Sequence, residues 1–161
     1  MAAKLSAGIL LYRFRNAELE VFLVHPGGPF WAKKDAGSWS IPKGEYREGE
    51  DALAAAKREF AEETGAPLGE DFLTLGEVKQ AGGKVVKAWA VRHDFDPELL
   101  KSNTFQMEWP PRSGRMQEFP EVDSAGWFTL PLAHEKLLTA QREFLTRLGE
   151  TIRLEAPASD R

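Results

Sequence analysis

The chain has 161 residues, of which 42% are apolar and 29% charged, and this balance is typical of one globular domain. The net charge of −4 gives no general attraction to nucleic acid or to an anionic membrane surface. No cysteine is present, which excludes disulfides, thiol catalysis and cysteine-bound zinc. We expect a soluble, cytoplasmic protein with one domain over residues 1–154 and a frayed tail over 155–161.

Strand-forming residues dominate the first part of the chain. Residues 6–14 and 18–25 are rich in β-branched, aromatic and other apolar residues, and 15–17 between them suit a hairpin turn. The Pro-Gly-Gly-Pro sequence at 26–29 ends this pattern. A polar loop then leads to a short extended segment at 39–41.

The first predicted helix covers residues 50–64. At 100° per residue, Leu53, Ala56 and Phe60 fall within one narrow arc, so this side of the helix is expected to face the core. Gly65 follows the last turn and is a typical helix C-terminal stop.

Strands return in the second half of the chain. Residues 72–79 and 84–95 predict two strands, and 122–130 predicts a final one. Residues 96–120 contain several prolines and a glycine, so we expect an irregular loop there, of a length that usually carries function. Two segments with apolar residues at helical spacing follow: 131–138 and 139–152. The order of elements predicts a mixed α/β fold.

Three carboxylates lie close together at the end of the predicted helix. Glu59, Glu62 and Glu63 are spaced i, i+3 and i+4, so they share one face, near the helix end whose dipole disfavours acids. A cluster of oxygen ligands suits a hard divalent ion, Mg²⁺ or Mn²⁺. The alternative is a solvated acidic face with Lys57 and Arg58 as ion-pair partners.

Residues 44–66 resemble the Nudix box: a glycine, five residues, a glutamate, seven residues, then Arg-Glu-apolar-x-Glu-Glu-x-Gly-apolar. The matching positions, all at the required spacing, are Gly44, Glu50, Arg58, Glu59, Phe60, Glu62, Glu63 and Gly65. Only Ala66 departs, where a larger aliphatic residue is usual. The resemblance implies the Nudix α/β/α sandwich, with a mixed sheet between helices. It also implies hydrolysis, with Mg²⁺ or Mn²⁺, of a nucleoside diphosphate linked to a further group.

The resemblance also implies roles for the residues of the box. Glu62 and Glu63 would be the main metal ligands. Glu59 would be a further ligand or the base that activates water, and the carbonyl of Gly44 would complete the metal site. The chemistry agrees, because a bound Mg²⁺ neutralises the anionic diphosphate and acidifies water.

Two further features belong to this implied site. Arg58 would orient the glutamates of the box by pairing with residues such as Glu50. Many Nudix enzymes use one more acid from a late loop, and here both Glu118 and Glu121 precede the strand that contains Trp127. The spacing from Glu121 to Trp127 fits that acid better, and Glu118 remains an alternative.

Several residues outside the box are candidates for binding substrate. Lys43 lies in Pro-Lys-Gly, a context similar to that in Nudix hydrolases of diadenosine polyphosphates and related nucleotides. The other candidates are loop residues that could line a polyphosphate groove or stack on a base: Trp31, Lys33, Lys34, Trp109, Arg112 and Arg115. Each could instead be an ordinary surface residue. The tryptophans of predicted strands, at 39, 89 and 127, are expected in the core. The three histidines have no metal-binding spacing and are expected to be structural or exposed.

The sequence leaves the substrate open. A dinucleoside polyphosphate or a nucleoside triphosphate fits the Pro-Lys-Gly context. ADP-ribose or a nucleotide sugar is the alternative, and the short N-terminus argues against it. Decapping and oxidised-nucleotide hydrolases have a similar box. A non-catalytic nucleotide-binding protein of this family usually loses box glutamates, which this chain keeps. We expect a small-molecule nucleotide as partner, and either a monomer or a homodimer.

Overall fold

A computed structural model describes residues 4–65 and 71–155. The strands are Leu5–Arg15 (β1), Glu18–Pro26 (β2), Lys43–Tyr46 (β3), Leu73–Lys79 (β4), Val85–Arg92 (β5), Thr104–Glu108 (β6), Met116–Pro120 (β7) and Val122–Thr129 (β8). The α-helices are Ala52–Thr64 (α1), Leu130–Lys136 (α2) and Arg142–Glu155 (α3). Short 3-10 turns occupy Ala81–Gly83, Pro97–Leu99 and Thr139–Gln141.

A mixed sheet of six strands forms the centre of the fold. Its order is β4-β5-β1-β2-β8, and β3 pairs with the first half of β1. β1 and β5 are parallel, whereas the other pairs of this sheet are antiparallel. Residues 6–11 of β1 are all buried, because both faces of the strand are covered. This arrangement confirms the predicted α/β class.

Helices cover the two faces of the sheet. Odd-numbered residues of β1, such as Ile9, pack with Phe60 of α1, and even-numbered residues, such as Leu10, pack with Phe144 of α3. The alternation follows from the two-residue period of a strand. The result is the predicted sandwich of helices around a mixed sheet.

Local signals at both ends define α1. Asp51 is the N-cap, and its carboxylate accepts a hydrogen bond from the backbone N–H of Ala54 at 2.9 Å. Gly65 ends the helix with a φ of 69°, a left-handed conformation that glycine adopts without a Cβ clash. The helix therefore starts two residues later than predicted and stops where predicted, with Ala56 and Phe60 buried.

The prediction of an irregular segment over 96–120 is wrong in its second half. There, β6 and β7 form an antiparallel hairpin that is a separate two-stranded sheet. Polar and apolar residues do alternate along Thr104–Glu108, but the segment is short. Most of the prolines and the glycine of 96–120 lie in the turn between the two strands.

Other boundaries also differ from the predicted ones. Residues 39–41 form only isolated bridges, Val24 with Ser40 and Trp39 with Leu137, and the strand itself begins after Pro42. β5 ends at residue 92 rather than 95. The final helices are separated by a 3-10 turn. The predicted tail lies outside the described residues beyond position 155, and within the described ranges no helix is long and apolar enough to cross a membrane.

Candidate active site

Strand β3 brings the start of the box directly against α1. At Gly44, a Cβ would lie 2.6 Å from Cγ of Glu59, closer than real Cβ contacts. A side chain at residue 44 therefore fits only if the side chain of Glu59 moves away. The close approach places the backbone of residue 44 next to the acidic face of the helix, where the Nudix resemblance implies a carbonyl ligand.

Replacing Gly44 with alanine is expected to displace Glu59 while leaving the fold intact. The added Cβ forces the glutamate side chain away from its present position, and a displacement of about 1 Å in a catalytic group costs on the order of 100-fold in rate. We expect kcat to fall by about 10- to 100-fold in a steady-state hydrolysis assay. Gly149→Ala is the matched control, because nothing lies within 4 Å of a Cβ there. Equal activity of the two variants would contradict this role.

The glutamates of α1 repel one another. Burial, followed by the charges of Glu59, Glu121 and Glu62, raises the pKa of Glu63 to about 7. Burial and the charge of Glu62 raise the pKa of Glu59. Glu62 is exposed on the same helix. The cluster therefore concentrates negative charge in a partly buried place, which favours a cation there.

The late acid that joins this cluster is Glu121. Its charge raises the pKa of both Glu59 and Glu63, and its side chain lines a cavity together with Glu63. Its backbone is fixed, because the N–H of Gly27 donates to the Glu121 carbonyl at 2.9 Å. A Cβ at residue 27 would lie only 2.0 Å from the carbonyl oxygen of Pro120. The alternative candidate, residue 118, is exposed on β7 and does not contribute to either pKa shift.

Arg58 lies beside the cluster and pairs with Glu50, as the Nudix resemblance implies. Its guanidinium donates to Glu50 at 2.9 Å and lies 3.9 Å from a carboxylate oxygen of Glu59. The hydrogen bond and charge of Glu50 raise the pKa of Arg58. The backbone N–H of Arg47 donates to the other oxygen of Glu50, and these two bonds hold the pKa of Glu50 below its usual range. The arginine thus connects the loop before α1 with the acidic face.

Two cavities meet beside the cluster. The first, here called the glutamate cavity, has a volume of about 180 Å³ and contains Glu63, Glu121 and Lys43 in its wall. The second, the lysine cavity, has a volume of about 700 Å³. Its lining residues are Pro26, Trp31, Gly37, Ser38, Ser40, Lys43, Gln80, Ala81, Lys84, Leu138, Thr139 and Ala140. Because the two share Pro26, Ser40 and Lys43, they adjoin, and together they are called the groove here.

Lys43 lies where the two cavities join. Burial, followed by the charge of Lys84, lowers the pKa of Lys43 to about 8. The charge of Glu45 offsets part of this shift. Among the described residues the Lys43 ammonium forms neither a hydrogen bond nor an ion pair within 4 Å. A partly buried ammonium without a direct ion-pair partner is well placed to receive an anion.

The predicted aromatic and basic loop residues separate into two groups. Trp31 lines the lysine cavity, and Nζ of Lys34 lies 5.1 Å from the centre of its ring. Lys33 is exposed in the same loop. Trp109 lies at the end of the β6–β7 hairpin and packs edge-on against Phe30, with ring centres 5.5 Å apart.

The basic residues of the hairpin lie away from this groove. Arg112 and Arg115 are exposed in the turn between β6 and β7. Neither they nor Trp109 line the glutamate cavity or the lysine cavity. The structure therefore brings together Lys43 and Trp31 from the predicted substrate-binding residues, and leaves the hairpin residues outside.

His25 holds the loop of the lysine cavity, a role that the sequence does not reveal. Its ring is buried, with Nδ1 2.7 Å from a carboxylate oxygen of Asp123 and Nε2 2.6 Å from the carbonyl oxygen of Lys34. Trp39 packs against the ring, with ring centres 5.2 Å apart. The two hydrogen bonds of His25 connect the loop at Lys34 to Asp123 of β8, two residues after Glu121. The prediction of a structural histidine is consistent with these contacts.

The donor chemistry of the cluster fits a hard metal ion. Within 4–65 and 71–155, no three histidine or acidic side chains lie at a geometry that would already enclose an ion. The available donors are nevertheless all oxygens, from Glu59, Glu63 and Glu121 together with the backbone of Gly44. Such donors suit Mg²⁺ or Mn²⁺.

Comparison with known proteins identifies the family. A sequence profile of the NUDIX domain matches residues 3–148. The chain belongs to the Nudix hydrolase family. An RNA pyrophosphohydrolase of Caulobacter vibrioides is 33% identical over 94 residues, which cover 55% of this chain and 48% of that protein. This Nudix chain thus spans about half the length of the curated relative that it matches.

Solved structures show the same fold. A C. elegans Ap4A hydrolase complex has a TM-score of 0.63 and 21% identity, covering 94% of this chain and 98% of that one. A mutT/nudix protein from Listeria innocua has a TM-score of 0.65 and 19% identity, covering 96% and 98%. The NUDIX domain of Shewanella oneidensis NrtR, complexed with ADP ribose, has a TM-score of 0.62 and 17% identity, covering 94% and 90%. At these identities the likeness establishes the Nudix fold.

Proposed function

We propose that this chain hydrolyses a pyrophosphate bond of a small nucleotide with the help of Mg²⁺ or Mn²⁺. One observation carries the proposal: Glu59, Glu63 and Glu121 converge at one end of a groove whose next charged residue is Lys43. Negative ligands for a metal and a cation for phosphate therefore stand side by side. A phosphate chain in this groove would contact both.

Residues of the box would hold the metal. Glu59, Glu62, Glu63 and Glu121 supply carboxylates, and Gly44 supplies a carbonyl. When bound, Mg²⁺ neutralises phosphate charge and acidifies water. In the metal-free protein, burial and neighbouring like charges raise the pKa of Glu59 and Glu63. A carboxylate of the cluster that remains off the metal would accept a proton from the attacking water.

Residues that line the lysine cavity would orient the substrate. Lys43 would contact the phosphate chain next to the scissile bond, since its ammonium lies at the junction of the two cavities. The lysine cavity, at about 700 Å³, is large enough for a nucleoside, and Trp31 in its wall offers a ring for stacking. These features support a dinucleoside polyphosphate or a nucleoside triphosphate as substrate. ADP-ribose or a nucleotide sugar is the alternative.

A substrate screen tests this proposal. The full chain is incubated with Mg²⁺ or Mn²⁺ and a dinucleoside tetraphosphate, nucleoside triphosphates, ADP-ribose, a nucleotide sugar and a 5′-triphosphorylated RNA. Products are separated by anion-exchange chromatography. We expect cleavage within the phosphate chain of a polyphosphate nucleotide, abolished by EDTA. Absence of cleavage for every compound would contradict the proposed activity, and preference for ADP-ribose would support the alternative substrate.

A further inference from the structure

Gln141 is a fully buried glutamine that contacts two residues lining the lysine cavity. Its Oε1 accepts a hydrogen bond from the backbone N–H of Ile41 at 2.9 Å. Its Nε2 donates to Oγ of Ser40 at 3.0 Å and to Oε1 of Gln80 at 2.7 Å. Because a backbone N–H can only donate, the oxygen of Gln141 must face Ile41, and its NH2 group must face the other two residues.

This network fixes which end of the Gln80 amide is free. Since Nε2 of Gln141 carries the hydrogens, the Gln80 atom that lies 2.7 Å from it must be the oxygen. Gln80 lines the lysine cavity, and within the described residues its own NH2 group donates to no protein acceptor. Its backbone is also held, since its N–H donates to the Lys84 carbonyl at 2.7 Å. Gln80 therefore offers two N–H donors to a ligand in this cavity.

The other side chains of the lysine cavity supply few acceptors. Its lining contains no aspartate or glutamate, and Lys43 and Lys84 can only donate. The hydroxyls of Ser38 and Ser40 donate to backbone carbonyls at 2.6 and 2.8 Å. The hydroxyl of Thr139 can donate or accept, so it does not discriminate. A ligand group that accepts hydrogen bonds is therefore better matched to this cavity than one that donates them.

Purine bases differ in what they present to such a wall. Next to the acceptor N7, guanine and hypoxanthine have the acceptor O6, whereas adenine has the donor N6–H2. A glutamine with a free oxygen binds N6 and N7 of adenine together, but the oxygen of Gln80 is turned toward Gln141. We propose that Gln80 selects 6-oxopurine nucleotides over adenine nucleotides by donating to O6 and N7. This inference rests on the proposed function, which places a nucleoside in the lysine cavity, and it names the base.

Binding of nucleoside monophosphates tests the selection without any hydrolysis. Inosine monophosphate (IMP) and AMP contain no pyrophosphate bond, and their bases differ only at position 6 and in the proton on N1. Each is titrated by calorimetry into the full chain in the presence of Mg²⁺. We expect IMP to bind about tenfold more tightly than AMP, because the amino group of adenine is left without an acceptor. Equal affinities, tighter binding of AMP, or no binding of either nucleotide overturns the proposal.

Substitutions of Gln80 test the amide itself. In Gln80→Glu the carboxylate still accepts from Gln141 but presents an oxygen to the cavity, so we expect the preference to reverse in favour of AMP. In Gln80→Leu, which offers neither donor nor acceptor, we expect the two affinities to agree within about twofold. The ratio of affinities is the readout, because the added charge of Gln80→Glu acts on the phosphate of both nucleotides alike.

Gln106→Glu is the matched control for the charge change. Gln106 is exposed on β6 and lines neither the glutamate cavity nor the lysine cavity, so this variant should keep the wild-type ratio. An unchanged ratio in Gln80→Glu, or the same shift in Gln106→Glu, overturns the proposal.

Kinetics with the triphosphates ITP and ATP separate this inference from the proposed function. We expect kcat/KM of the wild type to be about tenfold higher for ITP, and the order to reverse in Gln80→Glu. Hydrolysis of both at equal kcat/KM by the wild type supports the proposed function and overturns the selection. If neither is hydrolysed, the proposed function fails for nucleoside triphosphates, and the monophosphate titrations still decide the role of Gln80.

Discussion

Replacing Glu63 with glutamine is expected to lower kcat about a thousandfold on the best substrate while the fold is kept. Glutamine preserves the shape of the side chain and removes the negative charge that a Mg²⁺ ion requires. A thousandfold loss corresponds to about 4 kcal/mol of transition-state stabilisation, in the range expected for a metal that polarises phosphoryl oxygens. Steady-state kinetics at several Mg²⁺ concentrations measure the loss, and circular dichroism checks the fold.

Matched glutamates show whether the effect belongs to the site. Glu121→Gln is expected to lose about 10- to 100-fold, because its charge acts directly on the α1 glutamates. Glu118→Gln should keep wild-type activity, because that side chain is exposed on β7 outside the cluster. If Glu63→Gln retains activity, the assigned ligands are wrong. If Glu118→Gln loses more than Glu121→Gln, the late acid is the other candidate.

Local sequence signals were sufficient for the helix and its acidic face. Glycine at position 65, the apolar arc that includes Phe60, and the spacing of the glutamates all act within a few residues of one another. The helical features depend on local geometry alone, so the sequence predicts them without knowledge of the rest of the fold. The pairing of Arg58 with Glu50 was expected from the Nudix resemblance, and it joins α1 to the residue before its N-cap.

Features that depend on distant contacts could be predicted only in part or not at all. The sequence favours Glu121 but leaves Glu118 open, because the position of this acid depends on the junction of β7 and β8 and on its contact with Gly27. The sequence around Lys84 predicts only a hairpin between two strands. Lys84 lines the cavity because β5 pairs with β1 in the folded chain. The bond between His25 and Asp123 joins residues that are far apart in the chain. No short pattern contains this information.

Neutralising Glu63 is also expected to stabilise the metal-free protein, in a pH-dependent way. The pKa of this carboxyl is about 7 in the folded chain against 4.5 for an unperturbed glutamate, so the folded state binds more protons between these values. Stability therefore falls as pH rises through this window, and the cost is complete above pH 7. The shift corresponds to at most about 3 kcal/mol at pH 8 and to less than about 1 kcal/mol at pH 5.

Thermal unfolding in EDTA measures this difference. At pH 8 we expect Tm of Glu63→Gln to exceed that of the wild type by about 4–10 °C, and the gap should nearly close at pH 5. Glu118→Gln, whose carboxylate lies outside the cluster, should match the wild type at both values. Adding Mg²⁺ at pH 8 should raise Tm of the wild type more than that of Glu63→Gln, because the ion relieves the repulsion that the substitution has already removed. A wild type that is more stable than Glu63→Gln at pH 8 in EDTA would show that the glutamates of α1 do not repel one another in the folded chain.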